Sequence, residues 1–275
     1  MAINTRDDLI KAMGNNSSRL IIDKTTLTIA AGLFYSYWRV AGQPGQGAIP
    51  GAAAVCNTAL LGAAQFTQQV APATSYMALL EVALSAAHTL EIHDRLMHMG
   101  GLIGTLTTAQ TANVDLHANL ASSNMAARIG DSNYSDVQWW LEWYTATGGT
   151  AVTATVNVTY DDGTSGNLSA LSLAATRPVG FMAPLNVLNP NPGRFIRDVN
   201  TVQLSATTGT AGSFGVTATR YRAAQFCPTP NGRFTADWAQ LGLPEIANDS
   251  CLFPLILTGS TTATTVRASG KIAHG

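Results

Sequence analysis

Apolar and polar residues alternate along residues 152–160, so that every second side chain is apolar. A period of two places successive side chains on opposite faces of an extended strand, and the pattern predicts a half-buried β-strand. Residues 161–166 follow with Asp and Gly, which favour a tight turn. The chain is therefore predicted to return as a hairpin partner through Leu168, Leu171 and Leu173.

Comparable short segments, rich in β-branched and aromatic residues, are separated by Gly, Asn and Thr turns along much of the chain. They predict a mainly β protein, made of antiparallel β-sandwich or jelly-roll-like domains with few helical turns. We assign an N-terminal helix or arm to residues 1–24, a β-rich domain to 25–130 and an antiparallel β-sandwich to 131–275. Residues 75–96 fit a helix or a hairpin, and we favour the hairpin.

The N-terminal segment predicts a short helix. Thr5 is a typical N-cap residue, acidic residues follow it in the first turn, and Gly14 stands where the helical pattern ends. Leu9 and Met13 are among its apolar residues. The helix either caps its own domain or lies on a neighbouring subunit, and in the second case Leu9 and Met13 are candidate interface residues.

Residues 42–51 contain too many Gly and Pro residues for regular structure. Their spacing is not the dinucleotide fingerprint, and the segment lacks the lysine of a phosphate-binding loop. Such a surface loop either connects strands or projects toward a partner. In the second case Gln43 and Gln46 are candidate interface residues.

The aromatic segment 139–144 is predicted to be a strand. Alternation places Trp140, Glu142 and Tyr144 on one face and the other aromatic residues on the opposite face, and at least one face belongs to the core. If the face with Trp140, Glu142 and Tyr144 is exposed, it is either a protein interface or a platform for sugar rings. We favour the protein interface.

Composition limits the classes of partner. Hydrophobic residues make up 46% of the 275 residues, charged residues only 11%, and the formal net charge is −1. The chain can bury a core, and its neutral, hydroxyl-rich surface suits packing against other subunits. No electrostatic excess draws it to nucleic acid or to an anionic membrane. The acidic N-terminus does not resemble a signal peptide, and the Ala-rich stretches are too short to span a bilayer.

No catalytic or metal motif is predicted. Residues 88–98 hold several His and acidic side chains without zinc-site spacing, and no Gly-x-Ser-x-Gly elbow occurs. Glu142 with Asp161 or Asp162 is a candidate carboxylate pair for glycoside hydrolysis, but two aspartates in a turn are ordinary turn chemistry. We therefore expect neither an enzyme nor a bound cofactor.

The three cysteines are widely spaced, which fits neither a disulfide framework nor a paired zinc motif. Buried thiols are the favoured interpretation. The alternative is one disulfide between Cys227 and Cys251, which leaves Cys56 unpaired.

Three phrases resemble a group of structural proteins encoded in tailed-bacteriophage genomes, and the resemblance extends over most of the chain. The phrases are Asp94-Arg95-Leu96-Met97-His98-Met99-Gly100-Gly101-Leu102, Ser135-Asp136-Val137-Gln138-Trp139-Trp140-Leu141-Glu142-Trp143-Tyr144 and Gly270-Lys271-Ile272-Ala273-His274-Gly275. The resemblance implies a virion component made in the host bacterial cytoplasm, as a head decoration or minor capsid protein. It implies as partners the major capsid protein and copies of the chain itself.

Two alternatives remain open at this point. A tail or baseplate component is the rival within the virion. A carbohydrate-binding β-sandwich that uses Trp140 and Tyr144 is the alternative from a different class, with a glycan as its ligand.

Overall fold

The structure is a computed structural model that describes residues 3–71 and 73–275, and most of its regular elements are strands. The strands are β1 (Ser17–Leu27), β2 (Phe34–Ser36), β3 (Gly42–Gln43), β4 (Ala54–Val55), β5 (Ser75–Leu84), β6 (His88–Ile103), β7 (Gln110–Asp115), β8 (Val137–Trp143), β9 (Val152–Tyr160), β10 (Ser165–Asn167), β11 (Leu171–Leu173), β12 (Phe181–Pro184), β13 (Ile196–Leu204), β14 (Ser213–Cys227), β15 (Phe234–Asp237), β16 (Leu252–Thr258) and β17 (Thr264–His274). The α-helices are α1 (Arg6–Asn15), α2 (Met125–Arg128) and α3 (Trp238–Leu241), and single 3-10 turns cover His117–Asn119 and Asn186–Leu188. The predicted mainly β, antiparallel fold with a short N-terminal helix is confirmed.

The chain divides into two compact units, each described by itself. The first unit contains Met1–Ala48, Asn57–Asp94 and Tyr221–Gly275, and the second contains Ile49–Cys56 and Arg95–Arg220. These units differ from the contiguous domains 25–130 and 131–275 expected from the sequence. The reason is that β17, close to the C-terminus, pairs with both β1 and β5, which returns the end of the chain to its beginning.

The first unit is a two-layer sandwich. One layer is the antiparallel sheet β15-β5-β17-β1-β3, hereafter sheet A, and the other contains β2, β16 and the first half of β6. Alternate residues of β1 and β5 point inward and pack against residues of β6 and β16. The buried cluster between the layers includes Leu20, Ile22, Met77, Leu80, Val82, Leu84, Leu90, Ile92, Leu252, Ile256 and Val266.

The second unit has two antiparallel groups of strands. One is the sheet β10-β9-β13-β7, with β11 also paired to β9, and the other places β8 between β14 and β12. The predicted strand 152–160 and its return through β10 and β11 are confirmed, with Gly163 in the turn at φ +85°. Trp139 of β8 donates its Nε1–H to the carbonyl oxygen of Ile196 in β13, at 2.8 Å, and so links the two groups.

The hairpin predicted over residues 75–96 does not form. The strands of residues 75–96 exist as β5 and β6, but β5 pairs with β15 and β17, whereas β6 pairs with β16. In the same way β13 and β14 belong to different sheets, as do β16 and β17. Alternation predicts which face of a strand is buried, but both layers of a sandwich supply the same alternation, so it does not identify the hydrogen-bonded neighbour.

Helix α1 packs on its own unit. Thr5 and Asp8 form a reciprocal capping box, in which the Thr5 hydroxyl accepts from the Asp8 N–H and the Asp8 carboxylate accepts from the Thr5 N–H. Leu9 is 2% exposed and contacts a small apolar cluster with Ala78 and Ala273, and Met13 packs against the same cluster. The helix caps its own unit and buries Leu9 there, whereas Met13 is only partly buried and its contact with a neighbouring subunit stays a prediction.

Substitution of Leu9 by Ala is expected to lower the free energy of unfolding by about 2–3 kcal/mol, because it removes buried methyl groups and leaves a cavity. Ile10, on the exposed side of the same helix at 57% exposure, is the matched control, and Ile10→Ala is expected to cost about 0.5 kcal/mol or less. Urea unfolding followed by tryptophan fluorescence measures both. Equal effects of the two substitutions would contradict this packing of α1.

Candidate functional site

The aromatic face of β8 is not a surface. Trp140, Glu142 and Tyr144 are 3%, 1% and 4% exposed, and the Trp140 Nε1–H donates to the Thr219 hydroxyl at 2.8 Å. Side chains on both faces of β8 are buried, and β14 and β12 pair with its two edges. The prediction that these three residues form an interface is therefore wrong, and the same burial removes the proposed platform for sugar rings.

Glu142 is instead the centre of a buried polar network. The Arg95 Nη2 donates to the Glu142 carboxylate at 2.5 Å, to the Tyr144 hydroxyl at 2.9 Å and to the Thr217 hydroxyl at 3.1 Å. The Arg95 Nε–H donates to the His98 Nδ1 at 3.0 Å. Burial, with the neighbouring Glu142 carboxylate, raises the pKa of Tyr144 above its usual value. This network is a buried ion pair whose carboxylate also accepts from the Thr217 hydroxyl at 2.6 Å and the Tyr144 hydroxyl at 3.2 Å.

The other carboxylates considered for glycoside hydrolysis also have local partners. Asp162 accepts from the Thr164 N–H and hydroxyl within its turn, and its second oxygen lies 2.8 Å from the Arg194 guanidinium. Asp161 accepts from the Phe195 N–H at 3.1 Å. The Asp162 carboxylate thus stabilises its own turn, and the Asp161 carboxylate binds the backbone just before β13.

The His and acidic side chains of β6 make structural contacts with neighbouring residues. The His93 Nε2 lies 2.8 Å from the Glu91 carboxylate, and Asp94 accepts from the Cys251 N–H at 2.7 Å. Across residues 3–71 and 73–275, no three His, Cys, Asp or Glu side chains are grouped so that they can hold a metal ion. Cys56, Cys227 and Cys251 are all buried, and none of them forms a disulfide in this part of the chain, so the alternative Cys227–Cys251 bridge does not form.

The sequence did not predict a pair of acidic residues on neighbouring strands of the second unit. Asp115 and Asp198 are cross-strand partners in β7 and β13. Asp198 accepts from the Arg197 Nε–H at 2.8 Å, Asp115 accepts from the Ala118 N–H at 2.7 Å, and burial raises the pKa of Asp198. The pair fixes the turn that begins at His117. The sequence indication was an acidic residue at the end of β7 and another near the start of β13.

The second unpredicted group is centred on His274. Its Nε2 lies 2.7 Å from the Ser18 hydroxyl and its Nδ1 lies 2.9 Å from the Ser75 hydroxyl, and all three residues are buried. Ser18 and His274 belong to strands that pair directly, β1 and β17. Burial lowers the pKa of His274. The arrangement joins the last strand of the chain to β1 and β5.

The loop that follows β2 is held by a buried lysine. Lys24 points inward from β1, and its Nζ donates to the carbonyl oxygens of Val40 at 3.0 Å, Pro44 at 2.6 Å and Gly45 at 3.2 Å. Burial lowers the pKa of Lys24 to about 8. Three backbone acceptors thus replace the water that an ammonium group loses on burial.

Trp38 holds the other end of the same loop. Its Nε1–H donates to the carbonyl oxygen of Ala48 at 2.8 Å, and its ring lies between the backbones of Gly47 and Gly62. A Cβ atom at Gly47 would lie 1.9 Å from the ring, and one at Gly62 would lie 2.6 Å from it. Only glycine permits this approach at either position.

The loop ordered in this way presents the remaining two candidate interface residues to solvent. Gln43 and Gln46 are exposed, and the Gln46 amide donates to the carbonyl oxygen of Arg39 at 2.8 Å. Leu61, which adjoins Gly45, is 71% exposed. We call Gln43, Gln46 and Leu61 the loop surface. An exposed apolar side chain, Leu61, and the exposed amide side chains of Gln43 and Gln46 thus lie on an ordered backbone, a combination that suits a protein interface.

No protein-family model matches this sequence, and no curated protein does. Among solved structures, the chain aligns with structures from infectious bursal disease virus. The VP2 subviral particle aligns with 94% of this chain and 79% of its own at 11% identity and a TM-score of 0.16. The Gt strain structure aligns with 94% and 80% at 11% identity and a TM-score of 0.18. TM-scores this low do not establish a common fold.

No helix in the described ranges, 3–71 and 73–275, has both the length and the apolar character needed to cross a bilayer.

Removal of the Glu142 carboxylate is expected to destabilise the protein strongly. Glu142→Ala leaves Arg95 charged and buried without its counter-ion, and a loss of about 3–5 kcal/mol is expected in urea unfolding. The double variant Arg95→Met with Glu142→Leu removes both charges and is expected to cost less than Glu142→Ala alone. A double variant as unstable as the single one would contradict the role of the ion pair.

Stability is expected to fall as the pH drops below about 6.5, the usual pKa of an unfolded histidine. Because the folded-state pKa of His274 is lower, the unfolded chain binds a proton that the folded chain does not in this window. The free energy of unfolding of the wild type should therefore decrease relative to that of His274→Gln, which keeps a hydrogen-bonding side chain but does not titrate. Parallel pH profiles for the two proteins would contradict this assignment.

Proposed function

We propose that the chain is a non-enzymatic structural component of a virus particle, and specifically a head decoration or minor capsid protein of a tailed bacteriophage. The main support is where the phrases that resemble phage structural proteins lie in the structure. Arg95, Glu142 and His274, one from each phrase, are the centres of buried polar networks. Buried polar networks of this kind help to specify one fold. A shared fold is what structural proteins of one group have in common.

The distribution of charge supports the same proposal. Of the 15 Lys and Arg residues, Lys24, Arg95, Arg128 and Arg222 are buried at 4% exposure or less. The surface is therefore even less charged than the composition suggests. A neutral surface of Thr, Ser, Ala and Gly side chains costs little to desolvate, which suits repeated contacts between subunits.

We propose the loop surface as a contact with the major capsid protein or with another copy of the chain. A single contact of a few hundred Å² is weak, but a symmetric shell repeats it many times. Because Lys24 and Trp38 fix the loop before any partner binds, little conformational entropy is lost on association.

A tail or baseplate component is the second candidate within the virion, and the same fold and surface suit it. The carbohydrate-binding alternative has lost its specific support, because Trp140 and Tyr144 are buried.

The deciding experiment is the copy number of this chain in purified virions, measured by quantitative mass spectrometry against the major capsid protein. A head decoration protein is expected on the order of hundreds of copies per particle, because icosahedral symmetry repeats its site. A few dozen copies or fewer would favour the tail. Absence from particles would overturn the structural assignment.

Leu61→Asp is expected to lower the copy number per particle by about tenfold or more while leaving the melting temperature of the isolated protein unchanged, since a charge replaces an exposed apolar contact. Val187, which is 77% exposed in the second unit, provides the matched control Val187→Asp. Equal copy numbers for both variants would show that the loop surface is not the contact.

A further inference from the structure

The outer face of sheet A carries an ordered set of charges. In one row across the sheet, Asp23 of β1 is opposite Arg267 of β17. In the next row, Ile21 of β1 is opposite Ser269 of β17, and Ser269 is opposite Glu81 of β5. Thr235 of β15 continues the second row beyond Glu81. Side chains that are opposite one another in a sheet lie about 5 Å apart, so these groups form one continuous surface.

A groove of about 410 Å³ lies on this face. Arg19, Arg233 and Arg267 line it together with Asp23 and Glu81, and Ala83 and Ala268 are among its apolar residues. Three cations against two carboxylates give a local charge of +1, in a chain with a formal charge of −1. Five charged residues around one groove are a marked concentration when only 11% of the residues are charged.

Two of the three arginines already have carboxylate partners. Arg233 is paired with Glu81, whose other oxygen accepts from the Ser269 hydroxyl at 3.1 Å. Arg267 lies 3.7 Å from Asp23, and both side chains are largely exposed, at 75% and 65%. Exposed pairs of this kind contribute little to stability, so the fold does not depend on them.

Arg19 differs from the other two. It is exposed on β1, and within residues 3–71 and 73–275 its side chain has no hydrogen-bond or ion-pair partner, although its charge contributes to the lowered pKa of Glu81 after the direct contact with Arg233. A guanidinium offers five donors in a planar fork that matches a carboxylate. Arg19 is therefore available to bind a carboxylate. Arg233 and Arg267 can exchange their present partners, Glu81 and Asp23, for a carboxylate of a ligand.

We propose that this groove docks a carboxylate-bearing segment of a neighbouring protein subunit. The inference rests on the proposed function, which supplies a subunit of the same particle as the partner. Arg19 binds the incoming carboxylate, while Asp23 and Glu81 fix the register by accepting only a segment with cations or hydroxyls at the matching positions. Exposed Ile21, at 47%, lies beside Arg19 and Asp23 and supplies apolar contact.

The same mixed charge argues against a nucleic acid as the occupant. A phosphate backbone presents one negative charge after another, and Asp23 and Glu81 within the groove repel it. A protein segment can place opposite charges against both signs, and complementarity of this kind provides specificity more than affinity.

Fluorescence anisotropy of the purified full chain tests the proposal. The probe is a short fluorescein-labelled peptide of alternating Glu and Thr, with a labelled DNA duplex as the competing class. The variants are Arg19→Ser and the double variant Arg19→Ser with Arg267→Ser. Arg194→Ser is the matched control, because Arg194 is an exposed, ion-paired arginine outside the groove, at 46% exposure.

The peptide is expected to bind the wild type and Arg194→Ser equally, and to bind the double variant about tenfold more weakly, with affinity that falls as salt rises. Equal affinity for the wild type and the double variant would overturn the proposal, as would no binding or tighter binding of the DNA duplex. Unchanged melting temperatures verify that the variants fold.

The virion copy number separates this inference from the proposed function. If the wild type is present in particles and the double variant is present at the same number, the groove is not a contact although the structural role stands. If the peptide requires Arg19 but the wild type is absent from particles, the groove binds a carboxylate segment and the virion assignment fails.

Discussion

The irregular segments of this chain depend on buried cations that bind backbone carbonyl groups. Lys24 binds three carbonyl oxygens of one loop, and Arg128 donates to the carbonyl oxygens of Cys56 at 2.6 Å and Arg95 at 2.8 Å. Long connections lack the hydrogen-bond ladder of a sheet, and buried carbonyl groups without donors are costly. A side chain with several donors and no acceptors satisfies several of them at once. In each unit, one buried cation thus stabilises a connection that lacks a hydrogen-bond ladder.

The periodicity of the sequence predicted the strands because one face of most of them is buried. The alternation in β9 and the Asp-Gly turn after it define a hairpin locally, and that hairpin is correct. The pairing of β5 with β17, and the closure of the first unit by β17, depend on contacts between residues far apart in the chain. Local patterns contain no information on such contacts, so the boundaries of the units could not be derived from them.

The candidate interface residues also divide into those whose exposure the sequence predicted correctly and those whose burial it did not predict. Gly and Pro content predicted that residues 42–51 lie at the surface, and both Gln43 and Gln46 are exposed, although Gln43 belongs to the two-residue strand β3 rather than to irregular structure. The face of Trp140 and Tyr144 looked equally available, because alternation does not show whether a second layer covers it. Glu142 between aromatic residues was the useful indication, since a carboxylate in that setting requires a cation, and Arg95 supplies it.

Because the surface carries few charges, each exposed charge has a larger effect on which partner binds and in which orientation. On a highly charged surface, one additional ion pair changes the total electrostatic interaction very little, and many orientations of a partner are nearly equivalent. On a neutral surface, the arginines and carboxylates of sheet A dominate the local potential, so a misaligned partner loses most of the electrostatic attraction. Apolar and hydroxyl contacts then provide the buried area, and a small number of charges determines the register.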